Sequence, residues 1–226
     1  MSSPALPLAY QHIVKHLTDV RPLFVALQGP QGSGKSYLAS QLCSRLQSPP
    51  NALRVAVLSI DDLYLPHDHL VALSHSRNPL WNGRGHPGTH DTVLGIDILS
   101  RLKSACSDVE LPRFDKSLYG GEGDRLPLDG TGVIIKQPPT VDVVILEGWS
   151  VGFRPIPNDV LQKRWETIWK DEREKLGLPD NVQLADIRLI NDKLHEYLAL
   201  WSFLDIFIQV SGNDMQNNSL IYVFFS

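Results

Sequence analysis

The chain has 226 residues, a formal net charge of −4 and a hydrophobic share of 42%. That length and apolar content suit one domain with a real core, and the slight acidity excludes broad, non-specific nucleic-acid binding. The two cysteines, Cys43 and Cys106, make at most one bridge, so reduced thiols and a cytoplasmic setting, or a nuclear one, are expected. The start, Met1-Ser2-Ser3-Pro4, has no basic and apolar leader, and no run approaches the roughly 18 apolar residues of a membrane helix.

In chain order, Leu8, Ile13, Leu17 and Val20 fall near helical spacing and predict an amphipathic helix over 8–20. Leu23-Phe24-Val25-Ala26-Leu27 is a continuous apolar run, the mark of a strand buried on both faces. A Gly-rich segment follows, then Leu38, Leu42 and Leu46 at every fourth residue, which predicts a helix over 36–47 stopped by Pro49-Pro50-Asn51. The second strand is Val55 to Ile60 and runs straight into Asp61-Asp62. Residues 66–92 are rich in Pro, Gly, His and Asn and read as a functional loop. A helix is predicted over 93–105, an irregular stretch over 111–139 around Gly120-Gly121-Glu122-Gly123, and a third strand from Val141 to Leu146, ending at Glu147-Gly148. Helices over 158–176 and 183–203 and a strand over 206–210 complete the pattern. Strands alternating with helices predict a three-layer α/β fold, a mostly parallel sheet with helices on both faces. The expected organisation is one domain over 1–226, with insertions at 66–92 and 111–139 that bind substrate or act as a lid, and an atypical tail over 211–226.

The chemistry concentrates where strands end. Gly29-Pro30-Gln31-Gly32-Ser33-Gly34-Lys35-Ser36 has the spacing Gly-x-x-x-x-Gly-Lys-Ser, with a strand before it and a helix after it. Its glycines let backbone N–H groups wrap phosphates, the helix N-terminus adds positive potential, Lys35 reaches the terminal phosphates, and the Ser36 hydroxyl is placed to ligate Mg²⁺. Two further strands deliver carboxylates to the same edge, where ligands of open α/β sheets bind. Glu147 suits the metal side, and Asp61 suits either the metal or acceptance of a proton from a hydroxyl that attacks the γ-phosphate, with Asp62 as the fallback for both.

The Arg77–Asp91 stretch is expected to bind the acceptor, with Arg84, His90 and Asp91 as its contacts. His86 and His90 are four apart, but Pro87-Gly88 between them argues against a helical zinc pair. Arg113 and Lys116, ahead of the glycines, are candidates to approach the transferred phosphate as a lid closes. The charged run Lys170–Lys175 reads as a solvated helix face.

These pieces together resemble the D-glycerate 3-kinase-like family of P-loop kinases, itself similar to the uridine kinase, phosphoribulokinase and pantothenate kinase group. The resemblance rests on Gly29–Ser36, Ser59-Ile60-Asp61-Asp62-Leu63-Tyr64, Arg84-Gly85-His86-Pro87-Gly88-Thr89-His90-Asp91, Pro112-Arg113-Phe114-Asp115-Lys116 and Leu146-Glu147-Gly148-Trp149, and spans about residues 20–210. It implies ATP-dependent phosphorylation, with Mg²⁺, of a small hydroxylated metabolite such as a glycerate-like hydroxy acid, with Asp61 as base or metal-side carboxylate and Arg113 as a substrate or phosphate contact. The end departs from the family's pattern: Ser211-Gly212-Asn213-Asp214-Met215-Gln216-Asn217-Asn218 stands where relatives continue into a further helix. The alternative that this opens is an ATP-binding protein without kinase turnover. A switch GTPase is disfavoured, because Asp129-Gly130-Thr131-Gly132 follows no strand and no Asn-Lys-x-Asp is present.

Overall fold

The computed structural model describes residues 5–176, 181–211 and 220–225. In chain order these form α1 (Ala5–His16), β1 (Leu23–Gln28), α2 (Lys35–Gln47), β2 (Val55–Ser59), α3 (His67–Ser74), α4 (Thr92–Ser104), β3 (Val109–Leu111), β4 (Phe114–Asp115), β5 (Asp124–Arg125), β6 (Val133–Ile135), β7 (Val143–Gly148), α5 (Asn158–Glu166), α6 (Ile168–Leu176), α7 (Leu184–Lys193), α8 (Leu198–Trp201), β8 (Ile206–Ser211) and β9 (Leu220–Phe225). The main sheet among these residues has the order β2-β7-β1-β8-β9. Its first four strands are parallel, and β9 runs antiparallel along β8 from Ser211↔Leu220 to Ile206↔Phe225. Two small antiparallel ribbons, β3-β6 and β4-β5, stand apart from it.

Side chains alternate across the parallel strands, so each strand feeds two cores. Phe24, Ala26, Leu58, Val144 and Leu146 face α4 and the α8 region, where Ile98, Leu99, Leu102, Leu200 and Trp201 pack against them. Leu23, Val25, Leu27, Val143, Ile145 and Ile208 face α1 and α2 through Ala9, Ile13, Leu38, Leu42 and Leu46. The result is the expected three-layer α/β fold. No helix of the described residues is long and apolar enough to cross a membrane.

Several boundaries differ from the sequence reading. The first helix spans Ala5–His16 rather than 8–20, and Val20 is exposed. The helix expected over 158–176 divides at Thr167, whose φ of −113° and ψ of −92° leave the helical region. The one expected over 183–203 divides into α7, a 3₁₀ turn at Leu194–Tyr197, and α8. Residues 66–92 are not a plain loop: they hold α3 and a 3₁₀ turn at Pro79–Trp81. Only Leu70 of α3 is buried, so the helix lacks the apolar stripe that periodicity detects. Of the tail expected over 211–226, residues 212–219 and 226 lie outside the described residues, and the remainder is the end of β8 and β9.

Candidate active site

The register of the sheet assembles one edge. Ser59 and Leu27 both pair with Glu147, so β1, β7 and β2 end side by side. From β1 the chain turns into the Gly29–Ser36 loop. Gly32 and Gly34 hold φ of 79° and 80°, a left-handed backbone that side chains disfavour. A Cβ on Gly29 would lie 2.7 Å from Ser33 Oγ and 2.8 Å from the Val210 carbonyl oxygen, so this position packs backbone against β8. Helix α2 opens on Gly34 with no side-chain cap, which leaves its first amides free for an anion. Lys35 Nζ lies 3.5 Å from the Pro30 carbonyl oxygen, folded back on its own loop.

Glu147 is 6% exposed, and its Oε1 accepts from Ser36 Oγ at 3.1 Å. Its Oε2 is buried without a hydrogen-bond partner among the described residues. A buried carboxylate oxygen so orphaned is costly unless a cation or donor completes it. The hydroxyl and carboxylate together form a hard-oxygen corner that fits Mg²⁺, an ion that keeps most of its shell as water and phosphate oxygen. No cluster of three His, Cys, Asp or Glu side chains suited to a metal exists among the described residues.

The paired aspartates part company. Both sit on the 3₁₀ turn Ile60–Leu63, which Ser59 Oγ caps by accepting from the Asp61 amide at 3.3 Å. Asp61 turns to the cleft, where its Oδ2 meets Lys116 Nζ at 2.6 Å and its Oδ1 accepts from the Tyr64 hydroxyl at 3.2 Å. Asp62 turns away and accepts the Phe114 amide at 3.0 Å, which pins β4 to the turn. Burial pushes the Asp62 carboxyl above its usual range, the Phe114 amide opposes this, and the nearby Asp61 and Glu147 charges add to it.

Opposite the phosphate loop, the Arg84–Asp91 segment is bolted to this turn. Leu65 N donates to the Thr89 carbonyl at 2.9 Å and Asp91 N to the Leu63 carbonyl at 2.7 Å. Arg84 Nη1 donates to the carbonyls of Gly121, at 2.8 Å, and Glu122. His67 on α3 reaches Glu122 Oε2 at 2.7 Å, and its ring lies flat on Tyr119 at 3.7 Å between centroids. Tyr119 holds a φ of 50°, rare for a side chain of that size. Burial lowers the His86 imidazole below its usual value.

The space enclosed is a cleft of about 1100 Å³. One wall is Gln31, Gly32, Lys35 and Ser36, the rim carries Asp61 and Lys116, and the far wall is α3 with Arg84 and Glu122. Of the residues expected from sequence, Gln31, Gly32, Lys35 and Ser36 of the phosphate loop, Asp61 and Arg84 line it, Gly29, Pro30, Ser33 and Gly34 are not among its lining residues, and Glu147 bonds Ser36. His90, Asp91 and Arg113 are not among its lining residues. His90 is 5% exposed. Asp91 caps α4 by accepting from Leu94 N at 2.9 Å and pairs with Arg125 at 2.8 Å. Arg113 is exposed, and its carbonyl accepts from Leu126 N. The sequence reading missed the α3 wall and the two histidines there that line the cleft, His67 on the helix and His75 at its C-cap. Nothing in sequence spacing announces the pair of Lys116 with Asp61 across 55 residues.

No family model matches the chain. Among curated proteins it is 43% identical over 143 residues to a Saccharomyces cerevisiae protein named "Probable ATP-dependent kinase TDA10", covering 60% of this chain and 48% of that one. It is 34% identical over 199 residues to "Uncharacterized kinase mug58" of Schizosaccharomyces pombe, covering 86% and 66%. Among solved structures, the D-glycerate 3-kinase of Cryptococcus neoformans var. grubii superposes with a TM-score of 0.81 at 34% identity, over 95% of this chain and 75% of that one. The chain thus spans from about half to about two thirds of the length of those two curated relatives.

Proposed function

The chain belongs to the D-glycerate 3-kinase-like family of P-loop kinases, and on that footing we propose that it transfers the γ-phosphoryl group of ATP to a hydroxyl of a small metabolite, a glycerate-like hydroxy acid by analogy with its relatives. The observation that carries the reading is the division of labour between the two aspartates. Asp61 opens onto the cleft beside the phosphate loop, whereas Asp62 is spent on the Phe114 amide.

The acceptor hydroxyl oxygen attacks the γ-phosphorus in line, the bond to the β–γ bridging oxygen breaks, and ADP leaves. Asp61 accepts the hydroxyl proton as that oxygen loses it. Lys35 and the uncapped amides of α2 hold the phosphate oxygens. Ser36 and Glu147 would hold Mg²⁺, with Asp61 as a further candidate ligand, and the ion would supply positive charge against the phosphates. Lys116 is exchanged from Asp61 to the transferring phosphoryl as the acceptor enters, which frees the base where it is needed. Arg84 fits the acceptor's anionic end; His90, Asp91 and Arg113 act behind the cleft wall or at its mouth. The free thiols Cys43 and Cys106 suit a reducing, cytoplasmic setting.

The test is an ADP-release screen over small hydroxy acids, nucleosides and sugars, with ATP binding measured separately. A hydroxy acid is expected to stimulate release, and Lys35→Ala is expected to lower that stimulated rate by about 100-fold or more while the protein stays folded. ATP binding with no release stimulated by any acceptor would overturn the reading.

A further inference from the structure

Behind Asp61 lies a column of rings for which phosphoryl transfer has given no task. Tyr64 follows the turn that carries Asp61, is 4% exposed, and donates its hydroxyl to Asp61 Oδ1 at 3.2 Å. One face of its ring is covered by His90, with centroids 4.4 Å apart and planes 22° from parallel. The His90 Nδ1 lies 2.7 Å from the Tyr197 hydroxyl, and Gly88 N donates to that same hydroxyl oxygen at 3.0 Å. Tyr197 is 1% exposed and packs in turn on Trp201, at 5.7 Å between centroids.

The Tyr197 oxygen accepts the Gly88 amide. Tyr197 donates to Nδ1 in the imidazole tautomer that carries its hydrogen on Nε2, and accepts from Nδ1 in the other. Nε2 is buried with no partner among the described residues. Burial holds the ring down at about 4, so it stays neutral at ordinary pH. A phenylalanine and a leucine would fill this volume without burying an unpartnered ring nitrogen or a phenol. What the polar pair adds is orientation: the Tyr197 bond fixes the imidazole plane, the imidazole plane fixes the Tyr64 ring, and the Tyr64 hydroxyl fixes one oxygen of Asp61. The other oxygen of Asp61 is held by Lys116, which is 55% exposed and free to move. A general base needs its acceptor oxygen held within tenths of an ångström of the attacking hydroxyl, and the buried column is the rigid side of that mount.

We propose that His90 and Tyr197 are positioning residues that aim the Asp61 carboxylate through Tyr64, without either touching the acceptor; the inference rests on the kinase reading above. Tyr197 lies 107 residues from His90 and belongs to no motif of the phosphate or acceptor segments.

The experiment compares wild type, Tyr197→Phe, His90→Phe and His90→Asn in acceptor-stimulated ADP release, with Lys35→Ala as the blank. Tyr197→Phe and His90→Phe keep the rings and lose the bond; each is expected to lower kcat about 10- to 100-fold while KM for ATP stays within about twofold. His90→Asn restores a flat acceptor near the Nδ1 position and is expected to recover most of the lost kcat. A merely structural pair would lower melting temperature and leave kcat per folded molecule at the wild-type level, and that result overturns the proposal. If wild type itself gives no acceptor-stimulated release above Lys35→Ala, the kinase reading falls and this inference with it. Should the variants fail to fold, ¹⁵N NMR of wild type decides from the tautomer: a neutral His90 protonated on Nε2 supports the column, and one protonated on Nδ1 reverses the Tyr197 bond and overturns it.

Discussion

The two walls of the cleft are made by different means. The phosphate wall hangs from the ends of adjacent parallel strands and is shaped by backbone: left-handed glycines, the uncapped start of α2, and the close approach of Gly29 to Val210. The acceptor wall has almost no regular pairing to rest on. It is held by individual side chains, Arg84 to the carbonyls of Gly121 and Glu122, Asp62 to the Phe114 amide, Asp91 to Arg125, and His67 to Glu122. The difference teaches where chemistry and stability can be separated. On the phosphate wall a functional side chain can be changed without removing a support, whereas on the acceptor wall most polar residues are themselves the supports.

The largest expected effect tests the phosphate wall at Glu147. With Oε2 buried and without a partner among the described residues, the ligand-free protein leaves one oxygen of Glu147 to be completed by a cation or a donor. Glu147→Gln is therefore expected to lose about 100-fold or more in turnover and to need more Mg²⁺, while the melting temperature of the ligand-free protein holds or rises. A fall in melting temperature alongside the lost rate would mean that Glu147 is a support after all, and the contrast between the walls would fail at its clearest point.

The same contrast explains what was legible in the sequence. Continuous apolar runs announced β1, β2 and β7, and the carboxylates at their ends followed from the rule that ligands bind beyond strand termini. The phosphate loop, Asp61 and Glu147 could be named because backbone topology brings them together. The acceptor wall depends on pairings between distant positions, such as Lys116 with Asp61 and Tyr197 with His90, that leave no local period. Helix α3 is hidden from periodicity because it presents one buried residue instead of a stripe. His90 and Asp91, expected from the sequence to contact the acceptor, have polar atoms that serve the wall's construction: one bonds the Tyr197 hydroxyl, the other caps α4 and holds Arg125.

A middle-sized effect follows from burying an imidazole in that wall. The His90 pKa falls from the usual 6.5 to about 4 because burial disfavours its charged form. The unfolded chain thus takes up the proton first as pH drops. Stability from this residue is complete above pH 6.5, is lost progressively as pH falls from there toward 4, and levels off below. The interval corresponds to about 3 kcal/mol. His86, lowered by burial as well, adds in the same direction. Urea denaturation at pH 7 and pH 4.5 measures the loss, and His90→Asn is expected to recover about 2–3 kcal/mol of it. An equal loss in both proteins would show that the imidazole is not buried in neutral form.

The smallest expected effect is the most discriminating, because it concerns a residue adjacent to the proposed base. Asp62 is held above its usual range by burial, with repulsion from Asp61 and Glu147 added, yet its one described bond is to the Phe114 amide. Asp62→Ala removes the acceptor and leaves that amide unpaired, at a cost of about 1–2 kcal/mol in stability. Asp62→Asn keeps an oxygen for the amide and removes the carboxyl's desolvation and repulsion, so stability is expected to stay within about 0.5 kcal/mol and turnover within about tenfold. Stability follows from denaturation of each variant and turnover from acceptor-stimulated ADP release. If Asp62→Asn instead abolishes release while its stability holds, then Asp62 is the base. The acceptor wall would then carry the proton chemistry on a residue that also pins β4, and base and support would be one group.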